Sequence, residues 1–342
     1  MTAPAGGAGP PSGLDLATFE AARARVGAHL RRTALARLRP GEAGRLPDFL
    51  ERAIVDVAAL DGSRLPAALF VKLESGQVTG SFKPRGALNR LLSLPREVAS
   101  RGVVTASGGN HGLAVAYAGR SLGVPTTVYL PRGAPEEKAA RMRRWRAGVV
   151  RVGDVWDDAH AAALAHARRE GLAYIHPFAD PEVVAGQGTL ALEILEQAPE
   201  IDALVVAVGG GGLIAGIAEA AKLLRPGVRV VGVEPMGAPT LSESLRAGGL
   251  VELPAITTRA GSLAPRRSDP FVFEIIRRSV DDVVLVTDDE MLEAASFLRD
   301  ELGEGVELSG AAAVAAVLTG RAGLGGAAHP CALVCGAGDA AG

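Results

Sequence analysis

Three features of the sequence predict an α/β fold built on parallel strands. From residue 100 onward, short β-rich runs alternate with longer helical patterns. Those runs are apolar throughout, as in strands covered on both faces, where a half-exposed strand would alternate. Glycine, at 44 of 342 residues, stands at about twice its usual share and punctuates the joints between runs.

Taken in chain order, the first residues through Gly13 are small, Gly/Pro-rich and uncharged, and read as a flexible tail. They lack the basic start and apolar centre of a signal peptide. Asp15 can cap a helix running to about Leu30. Residues 40–66 mix Gly, Pro and charge, and read as an embellishment with one short helix near 47–57. Strands are expected at 69–73, 103–106, 126–130, 149–152, 173–176, 204–208, 228–234, 283–286 and 331–335.

Composition excludes several classes of function. With 48% apolar residues the chain is globular, and 36 basic against 38 acidic side chains leave a net charge of −2. There is no excess charge to neutralise a phosphate backbone, so nucleic acid is not an expected partner. The longest apolar stretches fall well short of the roughly 20 residues that span a bilayer. Cys331 and Cys335 would lie roughly 13 Å apart along an extended segment, too far to bridge, which fits a reducing cytoplasm.

Three clusters carry chemistry. After Val205, Val206 and Val208, four consecutive glycines (Gly209, Gly210, Gly211 and Gly212) turn the chain into a helix beginning at Leu213. Such a turn brings backbone N–H groups up to a ligand at a helix N-terminus, a phosphate cradle. Read as Gly210-x-Gly212-x-x-Ala215 with Glu234 ending the next strand, it equally satisfies the dinucleotide fingerprint, and tight packing alone also asks for glycine. The second cluster is Ser107, Gly108, Gly109, Asn110, His111 and Gly112, again between a strand and a helix. It offers donors to an anion such as a carboxylate, and His111 is read as packed rather than catalytic. Two anion sites imply a bifunctional ligand.

In the third cluster, Lys83 stands between Phe82 and Pro84 at the first turn of a helix. The dipole and any desolvation lower its ammonium pKa, making it a potential nucleophile; Arg85 serves equally as an ion-pair partner. Arg141, Arg143, Arg144 and Arg146 around Trp145, and Asp157, Asp158 and His160, read as solvated helix faces, and no metal site is expected.

Taken together, Gly80-Ser81-Phe82-Lys83-x-Arg85-Gly86-Ala87, Ser107 through Gly112 and Val208 through Leu213, in that order, resemble the fold type II pyridoxal-phosphate enzymes. Within them the chain looks most like the threonine/serine dehydratases. His176-Pro177-Phe178-x-Asp180-Pro181-Glu182 and Val306-Glu307-x-Ser309-Gly310-Ala311 match too, so the resemblance covers roughly residues 15 to 342. It implies two doubly wound, mostly parallel sheets. A large domain (1–101 and 180–342) would bind the cofactor and a small one (102–179) would be inserted in it.

The resemblance also implies roles. Lys83, beside Phe82, would hold pyridoxal 5'-phosphate covalently and later act as base, Asn110 would bond its ring hydroxyl, and residues 209–213 would bind its phosphate. Ser107, Gly108, Gly109, Asn110 and His111 would clasp the substrate carboxylate. Cys335 would stand beside the pyridine nitrogen with Glu307 nearby, and Gly261 would line the cofactor. The implied reaction is β-elimination from a β-hydroxy amino acid, L-threonine or L-serine, to a 2-oxo acid and ammonia, in a homodimer.

The chain departs from the family at several points. Gly108 replaces the second acid of serine racemases, disfavouring racemisation, and Thr240 replaces a carboxylate of the cation site found in some relatives. The family's Ser-Gly-Gly-Asn is altered to Cys335-Gly336-Ala337-Gly338. Arg266 and Arg267 stand in a loop expected to face the substrate, where bidentate pairing would read an acidic or polar side chain such as that of 3-hydroxyaspartate or a hydroxyectoine breakdown product. The rivals are a nicotinamide oxidoreductase using Gly210, Gly212 and Glu234, and a cofactor-binding protein without turnover.

Overall fold

The computed structural model describes residues 13–38 and 68–337. The tail, apart from Gly13, and the embellishment with its helix near 47–57 lie outside them. In chain order the strands are β1 (Leu35–Leu38), β2 (Leu69–Leu73), β3 (Val103–Ala106), β4 (Thr126–Leu130), β5 (Gly148–Arg151), β6 (Ala173–Tyr174), β7 (Ala203–Ala207), β8 (Arg229–Pro235), β9 (Asp282–Val286) and β10 (Pro330–Val334). They form two sheets, one of order β1-β2-β10-β7-β8-β9 and one of order β5-β4-β3-β6. Among the described residues only β1 runs antiparallel to its neighbour; every other pairing is parallel.

Continuous burial explains the apolar runs. Every residue of β2, β3, β7 and β10 is buried, so both faces of these strands are covered. The alanine-rich helix Leu308–Leu318 packs on β7, β8, β9 and β10, with Ser309 through Leu318 buried. Helices Pro181–Gln197 and Gly212–Leu224 pack closely together, and their glycines allow it: a Cβ on Gly216 would collide with the Val184 carbonyl.

Local expectations hold with three adjustments. Asp15 Oδ1 accepts from Thr18 N at 2.8 Å and caps the helix Leu16–Val26, which tightens into a 3-10 turn at Gly27–His29. β1 is absent from the expected strands; it is short, and Leu35, Ala36, Arg37 and Leu38 show no clear alternation. The expected strand at 173–176 ends at Tyr174, because the next residues fold back on the His176 ring and Pro177 has no N–H to donate. Helix Asn110–Leu122 starts three residues before the expected Leu113, which puts Asn110 and His111 in its first turn.

Parallel strands deliver their C-terminal ends to one edge of a sheet. The chain leaves β2 towards Lys83, β3 towards Ser107, β7 towards the four glycines and β10 at Cys335. The edges of both sheets therefore supply the three clusters singled out above.

Candidate active site

Lys83 is the first residue of the helix Lys83–Leu92. The approach to it is bent by positive φ at Thr79 (68°) and Gly80 (80°) and tied to the end of β10. Phe82 N donates to the Cys335 carbonyl at 3.1 Å, Ala337 N donates to the Gly80 carbonyl at 2.8 Å, and Ser81 forms a β-bridge with Gly336. Lys83 Nζ lies 5.0 Å from the centre of the Phe82 ring and donates to the Pro177 carbonyl at 2.9 Å. Burial lowers its ammonium to about 8 against the opposing pull of nearby Cys335.

Behind Lys83, Arg85 is spent on structure. Its Nε and Nη2 grip both Glu74 oxygens at 2.7 and 2.8 Å, and Nη2 reaches Glu193 at 3.0 Å. Lys72 joins through Glu193 at 2.6 Å. Arg85 is 2% exposed and Glu74 and Lys72 not at all, so this buried network fixes the lysine-bearing helix to β2.

The glycine-rich loops divide into two kinds. At 209–212 the glycines are demanded by packing: Cβ atoms on Gly210 and Gly212 would strike Phe178, one on Gly209 would come within 2.9 Å of the Ser262 carbonyl, and Gly211 has φ of 92°. The first N–H groups of the following helix, Gly212 and Leu213 among them, have no intrahelical acceptor, an arrangement of donors that suits an anion. At Gly109 and Gly261, by contrast, an added Cβ meets no atom within 4 Å, and at Gly108 only Ala134 at 3.7 Å. Packing does not explain these three, and each leaves open space before its Cα.

The 107–111 turn opens the helix Asn110–Leu122, with Ser107 Oγ accepting from Gly109 N at 3.2 Å. Asn110 Nδ2 donates to Glu307 Oε1 at 3.1 Å, and Ser262 Oγ donates to the same oxygen at 3.2 Å. The His111 ring is buried against the small sheet with Nε2 3.2 Å from the Ile175 carbonyl and Nδ1 unpartnered among the described residues. Burial, then the charge of Lys83, hold its pKa well below the usual value, so the ring stays neutral. The ring is packed, as the sequence reading has it, and its backbone N–H lies in the first turn of the helix.

Cys335 is buried and donates its thiol to the Ser309 carbonyl at 3.4 Å. Burial, then Glu307, push its pKa up to about 12, so it is a neutral thiol. Arg266 is occupied, Nε donating to the Leu253 carbonyl at 2.9 Å and Nη2 pairing with Glu252 at 3.2 Å. Arg267 has a 3.8 Å contact with Glu252 and is 62% exposed. Glu234 is fully buried and accepts from Leu241 N and Ser242 N, both at 2.8 Å. It cannot face a ribose, which removes the acid the nicotinamide reading needs. Thr240 donates to the Pro265 carbonyl at 2.6 Å.

One group escapes sequence reasoning. Trp156 stacks on His160 with ring centres 4.6 Å apart, His160 Nδ1 shares a 2.7 Å hydrogen bond with Tyr174 Oη, and His176 packs edge-on to Phe178 at 4.6 Å. Helical spacing of Trp156 and His160, four apart, is the available signal, but Asp157 and Asp158 make that stretch read as solvated.

The chain is 43% identical over 258 residues to an L-threonine ammonia-lyase of Geobacter sulfurreducens, a match that takes in 75% of this chain and 64% of that protein's length, under two thirds of it. Among solved structures it resembles a maize serine racemase, with TM-score 0.85, 31% identity and 96% and 94% of the two chains covered. It also resembles the processed form of threonine deaminase isoform 2 from Solanum lycopersicum, with TM-score 0.82, 31% identity and 97% and 93% covered. Residues 53–336 match the family described as pyridoxal-phosphate dependent enzyme, and the chain belongs to that family.

Proposed function

We propose that this chain is a lyase that eliminates water from a β-hydroxy amino acid, L-threonine or L-serine, to an enamine that takes water back as it hydrolyses, so that the net products are a 2-oxo acid and ammonia. The observation that carries the reading is Lys83: an amine lowered to about 8 by burial, standing among two anion-binding turns and a neutral thiol. The same reading takes 1–101 and 180–342 as the larger domain and 102–179 as the smaller. Two buried free thiols, Cys331 and Cys335, suit a cytoplasmic setting, and we expect a homodimer.

The residues present fit pyridoxal phosphate. Ser81 Oγ is buried beside Gly336 with no partner among the described residues, and Gly261 and Gly109 leave room in front of their Cα atoms. Lys83 would hold the group, the N–H groups of 209–213 its phosphate, and Asn110 its ring hydroxyl, with Phe82, Glu307 and Cys335 around it. When bound, the cofactor supplies an electron sink for the charge released at the substrate α-carbon.

The protein's own groups do the rest. Ser107 and the N–H groups of residues 108–111 bind the substrate carboxylate at a helix N-terminus, fixing the α-carbon near Lys83. The Lys83 amine, whose ammonium is lowered to about 8 by burial, takes the α-proton onto Nζ in its unprotonated form. Cys335 keeps its proton and donates to the Ser309 carbonyl, so it would bring no negative charge to a bound cofactor ring. Gly108 has no side chain to deliver a proton to the opposite face, which favours elimination over racemisation. Arg267, less committed than Arg266, is the better placed of the two to read a polar substrate side chain.

Turnover tests the reading. Cofactor-loaded protein given threonine, serine and 3-hydroxyaspartate should release 2-oxo acid and ammonia in equal amounts from at least one. Formation of the mirror-image amino acid without 2-oxo acid would replace the lyase with a racemase.

A further inference from the structure

We propose that His176 is a positioning residue for the Lys83 amine, acting through the Pro177 carbonyl. The inference rests on the reading of Lys83 as the base. His176 Nδ1 accepts from two successive backbone N–H groups, Phe178 at 3.2 Å and Ala179 at 2.8 Å. A side-chain acceptor that binds the amides two and three residues on closes its loop as an Asx turn does, and here an imidazole takes that place. The closed loop carries Pro177, whose carbonyl accepts from Lys83 Nζ at 2.9 Å.

The chemistry of the two acceptors sets what this does. Nδ1 can accept only while unprotonated, and burial, then the charges of His160 and Lys83, lower the His176 pKa to about 4. The ring is therefore neutral at physiological pH, with its proton on Nε2 and Nδ1 free to accept. An amine has two N–H bonds and one lone pair. With one N–H committed to Pro177, rotation about the Cε–Nζ bond is restricted, and the lone pair is turned towards one direction rather than averaged over three. Pro177 has a fixed φ, which removes one backbone rotation from the short loop that carries this carbonyl.

His176 also packs edge-on against Phe178, whose ring fills the space that Gly210 leaves open and whose backbone and Cβ lie against Gly212. Two substitutions separate these contacts. In His176→Asn, Oδ1 stands where Nδ1 stood and keeps the two amide bonds while the ring contact is lost. In His176→Phe, the ring contact is kept and the acceptor is lost.

Two measurements read the outcome. The first is labelling of Lys83 in cofactor-free protein by a small acylating reagent at pH about 9.5, above the lysine's lowered pKa, followed by mass spectrometry. The second is kcat and KM for 2-oxo acid formation. A released, freely rotating amine should be acylated several-fold faster in His176→Phe, with kcat reduced roughly tenfold and KM within about twofold. His176→Asn should match the unaltered protein in both. The proposal is overturned if His176→Phe labels and turns over normally, or if His176→Asn behaves like His176→Phe. His176→Gln, whose oxygen reaches the Nε2 position instead, serves as a second acceptor-deficient variant should His176→Phe fold poorly. If no protein turns over any substrate, the labelling pattern still decides the positioning, while the lyase reading fails on its own.

Discussion

Asn110, at the start of a helix on the four-stranded sheet, donates to Glu307, at the start of a helix on the six-stranded sheet, at 3.1 Å across 197 residues of sequence. The bond joins the two sheets at the place where Asn110 is proposed to meet the cofactor ring hydroxyl. Asn110→Ala should therefore weaken pyridoxal-phosphate affinity, by roughly tenfold for one hydrogen bond to a charged group. Glu307→Gln, which can still accept from Asn110, should change it by less than about threefold. Equilibrium titration of cofactor-free protein checks both.

The two kinds of glycine separate stability from binding. Gly210→Ala forces a Cβ into the Phe178 ring and should cost about 1–3 kcal/mol of stability. Gly109→Ala meets nothing within 4 Å and should unfold within ~0.5 kcal/mol of the unaltered protein. It should nonetheless raise KM, because the methyl group enters the space before the carboxylate-binding N–H groups. Denaturant unfolding and steady-state kinetics on the pair distinguish the roles; equal stability losses would contradict them.

Burying Lys83 has a signature in pH. Its pKa is 10.5 when solvated and about 8 in the fold, so between those values the unfolded chain binds more protons than the native one. Stability of the cofactor-free protein from this group therefore rises with pH from about 8 to 10.5, and the full cost, of order 3 kcal/mol at most, applies below 8. Lys83→Met removes the ammonium and should be the more stable protein at pH 7, the difference vanishing near pH 10.5.

Arg266 and Arg267 differ in how far Glu252 holds them. Arg266 has two partners and Arg267 one distant contact. Arg267→Ala should lower kcat/KM for 3-hydroxyaspartate relative to threonine by roughly tenfold, an amount typical of one charge-assisted contact. Arg266→Ala should leave the ratio unchanged. Unaltered selectivity in the Arg267 variant would dismiss the loop as a reader of the substrate side chain.

Much of the fold is legible because burial imposes its own pattern. Strands such as β7 and β10, enclosed on both faces, have no polar residue to blur the run, and Asp15 announces its helix by a side chain that caps it. What escapes has weak or conflicting local signals. β1 is held by its pairing with β2 rather than by alternation, and β6 stops early because of a loop closed by His176. The lysine and donor loops are legible as residue types at strand ends. The packing of His111 is legible too, but the start of its helix three residues early, at Asn110, is not. His160 is hidden among acidic neighbours, and only the three-dimensional stack with Trp156 and Tyr174 removes it from a solvated face.

The central claim is that Lys83 carries pyridoxal phosphate. Visible absorbance of the purified, cofactor-reconstituted protein before and after borohydride, with mass analysis of the peptide containing Lys83, tests it directly. The account predicts a visible band that borohydride abolishes, a reduced cofactor fixed on Lys83, and loss of both in Lys83→Ala. A protein that shows no band after reconstitution, or that fixes the cofactor on another lysine, would contradict it.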